Sequence, residues 1–181
     1  MLRKLLDVVL AVGCALLLCS CWTETVNPLS DPEKPQADPK LAGVWKNDFG
    51  ALHFSARKDG RMDVKYVTQD SQQRESVENY VLFVTTLGDN SYINLQGAGQ
   101  KSYLILNYKI NGDELTTSLM CDEEVKKALE AGKLKAQKTG SQYQAETVVT
   151  DSSENLAAFV KGQEQDKLFP EPQKFKRAGE K

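Results

Sequence analysis

Five side chains in this sequence could act as nucleophiles or soft metal ligands: Cys14, Cys19, Cys21, Cys121 and His53. Any Ser-His-Asp or Cys-His arrangement would have to run through His53, the sole histidine. His53 alternates out of phase with Leu52 and Phe54, so it is expected to point away from the core they share. A zinc site needs three or four His, Cys or carboxylate ligands, and no spacing brings His53 to Cys121. Gly97-Ala98-Gly99 lacks the following Gly and Lys-Ser/Thr of a phosphate loop. Asp122-Glu123-Glu124 suits a helix N-terminus, where carboxylates are favoured. Those acids also give Cys121 no basic neighbour, so it reads as a structural, half-buried thiol. No catalytic residue, cofactor site or metal site is assigned, and the expectation is a non-enzymatic protein.

The other three cysteines sit in the segment that decides where the chain lives. Arg3 and Lys4 precede an apolar run from Val8 to Leu18. A basic start, an apolar run of roughly 7–15 residues and a small residue form a secretory signal pattern. A membrane-spanning helix takes about 20 apolar residues, and Asp7 shortens this run further. The run ends in Leu18-Cys19-Ser20-Cys21, which resembles a bacterial lipobox. The resemblance implies cleavage after Ser20 and lipidation of Cys21, and thus a cell-envelope protein anchored in a membrane. Trp22 stands where an Asp would favour inner-membrane retention, so the expected site is the outer membrane, facing the periplasm. On this reading residues 1–20 are a signal peptide, and only Cys121 keeps a free thiol.

Residues 21–40 hold Pro28, Pro32, Pro35 and Pro39 among polar side chains. Proline at this density disfavours helix and sheet ladders, so the segment is expected to be a semi-rigid tether. The formal net charge is −2, from 23 basic and 25 acidic residues. This balance leaves no basic footprint for nucleic acid and no polybasic patch for anionic lipid.

Residues 41–181 are long enough to bury a core without disulfides. Period-two alternation marks strands at Leu52 to Ala56, Met62 to Tyr66, Leu104 to Ile110 and Leu115 to Leu119. Tyr80 to Leu87 is apolar on both faces, as for a strand covered on two sides. Asn111-Gly112 suits a type I′ hairpin turn. A helix is expected from Cys121 or Asp122, with Val125, Ala128 and Leu129 inward and Gly132 as its stop. Asp151 to Glu154 has capping-box spacing for a second helix carrying Leu156, Phe159 and Val160. Gln144 to Val149 and Lys174 to Arg177 read as further strands. The fold class is mainly β, an antiparallel barrel or sandwich of about nine strands with two short helices in the C-terminal half.

Gly43-x-Trp45 in the first strand and Arg177 in the last resemble the lipocalin or calycin pattern. That resemblance implies a barrel whose end is sealed by a basic side chain over the Trp face. The stretches Asn107 to Leu115, Leu129 to Lys135, Ser153 to Phe159 and Leu168-Phe169-Pro170 are similar to uncharacterised bacterial envelope lipoproteins. Two functions stay open: a partner-binding or assembly module, and a carrier of a small apolar ligand. If Tyr66, Tyr80, Phe83, Tyr103 and Tyr108 fill the barrel, the first is favoured. An open apolar cavity of several hundred Å³ would favour the second.

Overall fold

The computed structural model describes residues 23–69, 72–139 and 146–179. Cys14, Cys19 and Cys21 lie outside them, as does the whole lipobox. Along the described chain run β1 (Glu24–Thr25), β2 (Gly43–Asn47), β3 (Gly50–Ala56), β4 (Met62–Gln69), β5 (Glu75–Leu87) and β6 (Asn90–Gly97). Then come β7 (Tyr103–Asn111), β8 (Glu114–Leu119), α1 (Asp122–Glu130), β9 (Ala136–Thr139) and β10 (Glu146–Val149). The chain ends in α2 (Ser153–Lys161), α3 (Gln165–Leu168) and β11 (Gln173–Arg177).

Strands β2 to β8 form an up-and-down meander, and β11 closes it between β8 and β2. The result is a closed antiparallel barrel of eight strands with three extra strands beside it. A barrel, rather than a sandwich, therefore satisfies every strand edge of the meander. The extra strands bring the total to eleven, against about nine expected. β1 pairs antiparallel with the start of β7, β10 pairs parallel with β1, and β9 pairs antiparallel with β10.

Alternation along the strands sorts side chains into two cores. Trp45, Phe54, Met62, Val64, Leu82 and Leu115 are buried inside the barrel. Tyr92 and Ile105 point outward from β6 and β7 and are buried under the helices by Val125, Leu156, Val160 and Leu168. Tyr92 also donates its hydroxyl to Gln165 Oε1 at 2.6 Å and packs on Phe169, with ring centroids 5.5 Å apart. Full burial of one such side chain contributes about 1.5–3 kcal/mol, so the outer core stabilises the wall as well as the helices.

Both expected helices are present. α1 starts after Cys121, and Gly132 follows its end at φ 66°. The cap of α2 differs from expectation: Ser152 Oγ accepts from the Asn155 amide. Asp151 is buried instead and accepts from the Lys135 amide, tying the helix entrance to the chain before β9. The β7–β8 turn also differs. Asn111 pairs with Glu114, and of the turn residues only Gly112 has positive φ, at 58°. A type I′ turn needs positive φ at both central residues, so Asn111 belongs to the strand.

The largest correction concerns the proline-rich segment. Its described part, from Thr23, is not a spacer but a strap on the barrel wall. Thr25 and Leu29 are buried, and the Leu29 amide donates to Asn94 Oδ1 at 2.7 Å. Arg61 Nη2 donates to Pro32 O at 2.6 Å, and the Val84 amide donates to Gln36 O at 2.7 Å. Proline removes a donor but leaves its carbonyl free to accept. The strap therefore bonds through the Pro32 and Gln36 carbonyls as well as the Leu29 amide, and covers the outer face of β5, the strand whose sequence is apolar on both sides.

Candidate binding site at the barrel mouth

The barrel has one closed end and one open end. The strap finishes in a single 3-10 turn, Pro39–Leu41, which puts fully buried Leu41 under the closed end. Trp45 is also fully buried, and its Nε1–H donates to Leu41 O at 2.7 Å. The Arg177 guanidinium carbon lies 4.0 Å from the Trp45 ring centroid. Its Nη1 donates to Ala42 O at 2.8 Å and its Nη2 to Lys40 O at 2.7 Å. The two residues are direct partners across β2 and β11, so Gly43, Trp45 and Arg177 meet as the sequence pattern implies. Gly43 sits at φ 113°, and a Cβ there would lie 3.1 Å from Arg177 Nη1, which explains a glycine at this position. Tyr108 completes the seal by donating its hydroxyl to Asp38 Oδ2 at 2.9 Å. Burial, then the Asp38 carboxylate, pushes the Tyr108 phenol well above its ordinary range.

The opposite end is open. A recess of about 700 Å³ is lined by the inward side chains Leu52, Tyr66, Leu106, Leu119 and Phe175. Phe49, Met120, Cys121 and Pro170 form part of its rim. The strand registers show why these residues converge. Leu52 pairs with Tyr66, Leu106 with Leu119, and Phe175 with Leu115 one layer below. A second recess of about 350 Å³ lies where β5, β6 and β7 begin or end at the same mouth, against Glu78, Tyr80, Leu95 and Leu104. Here Tyr80 donates its hydroxyl to Glu78. Burial, then that hydrogen bond, pushes the Tyr80 phenol up to about 12. Tyr66 pairs with Glu78 across β4 and β5, and its phenol is raised by burial and by the same carboxylate.

The five aromatic residues thus divide. Tyr108 fills the base, while Tyr66 and Tyr80 stand half-buried at the mouth. Phe83 and Tyr103 lie outside the barrel, in an edge-to-face pair at 6.2 Å. The interior is therefore packed in its lower half and cup-shaped above. A third recess, of about 850 Å³, lies on the outer faces of β2 to β4 against Val44, Lys46, Ala51 and His53. His53 does point away from Leu52 and Phe54, and it is exposed. Cys121 caps α1 at the mouth rim and is half-buried as a free thiol. Among the described residues, no three His, Cys, Asp or Glu side chains converge on a point that could hold a metal ion.

Chemically, the mouth offers apolar inner walls, with Glu78 and two phenols at one side and Asp122, Glu123, Lys126 and Glu171 at its rim. It can hold an apolar body and give hydrogen bonds to a polar end. Sequence periodicity identified Leu52 and Leu106 as inward residues but not as a site. Phe49 and Glu78 were missed altogether. The turn residues Asn47 and Gly50 around Phe49 were the available signal. Asn47 Oδ1 accepts from the Phe49 amide at 2.9 Å and the Gly50 amide at 3.0 Å, which fixes the hairpin that presents Phe49. Comparisons with protein-family models, curated proteins and solved structures find no match.

Proposed function

We propose that this chain is a bacterial envelope lipoprotein, anchored through Cys21 to the outer membrane and facing the periplasm, whose barrel mouth holds a small apolar ligand without catalysis. The observation that carries the ligand-binding reading is the Leu52–Leu106–Leu119 lining left half-exposed above a filled base. Apolar side chains kept open to water in a concave recess form a binding surface in search of apolar area. This favours a ligand carrier over an assembly module. The anchor reading rests on the lipobox resemblance, and multiple acyl chains would make attachment stable.

Native mass spectrometry of the Cys21→Ser chain recovered from its host tests the ligand. A reproducible bound lipid or metabolite is expected, together with saturable enhancement of N-phenyl-1-naphthylamine fluorescence. Leu52→Glu should weaken dye binding at least tenfold. A ligand-free mass with no dye binding would return the barrel to a partner-binding role. Intact-mass analysis of the full chain tests the anchor: the expected product starts at Cys21 and carries acyl groups. A mass that retains residues 1–20, or lacks acyl groups, refutes it.

A further inference from the structure

We propose that the mouth end of the barrel is a membrane-contact surface, so that the cup opens toward the bilayer; this rests on the lipid-anchor reading above. Three observations place the contact there. First, the described chain begins beside the mouth. Thr23 is buried and donates its Oγ1–H to Asp122 Oδ1 at 3.3 Å, and Asp122 lines the mouth recess. Two residues of extended chain span at most about 7 Å, so on the anchor reading the lipid attachment falls within that reach of Thr23. The strap that was expected to act as a long tether instead begins its wall contacts at once. An acylated Cys21 therefore holds the rim of the mouth, rather than a distant domain, against the lipid.

Second, the large hydrophobic side chains left exposed among the described residues are Val26, Phe49 and Val77. All three belong to the mouth end. Val26 follows Thr25, the partner of Tyr103 at the start of β7. Phe49 tips the β2–β3 hairpin and is 70% exposed. Val77 lies in the first half of β5, opposite Val67. The closed end, with its turns at Gly88-Asp89 and Gly112-Asp113, contributes none of them. An apolar side chain that crosses from water to the acyl boundary gains the hydrophobic term it cannot gain in the barrel.

Third, charge at this end argues for an apolar rather than an electrostatic attachment. Asp48, Glu75, Glu78, Asp122, Glu123 and Glu171 outnumber the basic Arg74, Lys101 and Lys126 around the mouth, and Lys126 is paired with Asp122 at 2.5 Å. This end is not drawn to anionic lipid. Contact depends on the anchor and on Phe49, and it should not strengthen as anionic lipid is added.

Depth-dependent fluorescence quenching tests the orientation. Residues 21–181 carrying Trp22→Phe and Cys121→Ser are coupled through the Cys21 thiol to a maleimide phospholipid, so orientation is read whether or not a host acylates the protein. Single substitutions Phe49→Trp and Asn111→Trp mark the two ends, with buried Trp45 as a constant background. In phosphatidylcholine vesicles with brominated acyl chains, the Phe49→Trp emission should fall at least twofold and the Asn111→Trp emission should not change. Adding phosphatidylglycerol should not deepen the quenching. Equal quenching at both ends, quenching at Asn111→Trp alone, or none at either overturns the proposal. Val77→Trp gives a second mouth position if Phe49→Trp disturbs the hairpin. Failure of the anchor reading is seen separately, in the intact mass of the host-derived protein.

Discussion

Arg177→Ala should be among the most damaging single changes at a partly exposed position in this chain. The side chain makes a cation–π contact with a fully buried Trp45 and two charge-assisted hydrogen bonds to Lys40 and Ala42 carbonyls. A cation–π contact is worth about 0.5–1 kcal/mol when exposed and about 2 when desolvated. A hydrogen bond to a charged group contributes about 1.5–3 kcal/mol. One of the two bonds is exposed and counts for less, and the ion pair with Asp113 at 3.7 Å adds little because Asp113 is exposed. The sum expected is about 2–4 kcal/mol. For a domain of this size that lowers Tm by about 4–16 °C, at about 2–4 °C per kcal/mol. Arg177→Lys keeps the charge but not the fork that reaches two carbonyls, so it should recover about half. Urea denaturation of the Cys21→Ser chain, followed by far-ultraviolet circular dichroism, measures both. A loss below about 0.5 kcal/mol for Arg177→Ala would mean that the seal is ornamental and that Leu41 alone closes the barrel.

Other expectations follow from the same contacts. Leu29→Ala should cost about 2–5 kcal/mol, since it empties a buried site under the strap; a free tether would show no change in denaturation midpoint. Gly50→Ala drives a Cβ into the Val67 carbonyl oxygen and should cost at least about 1–3 kcal/mol in the same assay. Tyr80 and Tyr108 hold their protons more tightly when folded than unfolded. Their contribution is complete below the ordinary phenol range near pH 10 and is lost as pH climbs toward 12 and beyond. Stability should therefore fall above pH 10, with phenolate absorbance at these two positions appearing together with unfolding. Tyr108→Phe and Tyr80→Phe together should flatten that fall.

Some of this was legible in the sequence because the cause is local. Alternation at Met62 to Tyr66 and at Leu104 to Ile110 is enforced by the pleat, so strand and facing followed from residue order. Gly43, Trp45 and Arg177 were legible for a different reason, since a motif at both chain ends constrains a contact across the barrel. The strap was not legible. Its prolines speak against ladders, yet Pro32 O accepts from the Arg61 side chain and Gln36 O from the Val84 amide of β5, and Leu29 carries no periodic partner to reveal its burial. The mouth was hidden by the same gap. Which end stays open depends on Leu41 occupying the other, and nothing in the strands themselves states that. The cap of α2 shows a smaller version of the problem: Ser152 and Asp151 are both good capping types, and burial of Asp151 against the Lys135 amide decides between them.

The closure of β11 onto β2 also sets the order in which this chain can fold. Ala42 and Arg177, joined by a hydrogen bond, are 135 positions apart. During synthesis the first barrel strand must wait for β11 before its outer edge is paired. Contacts of such sequence separation form slowly, and an unpaired strand edge is prone to wrong partners meanwhile. The strap along β5 has a different timing. It joins Leu29 and Gln36 to Asn94 and Val84, which emerge well before β11. It can therefore shield the middle of the meander while the two end strands still lack each other.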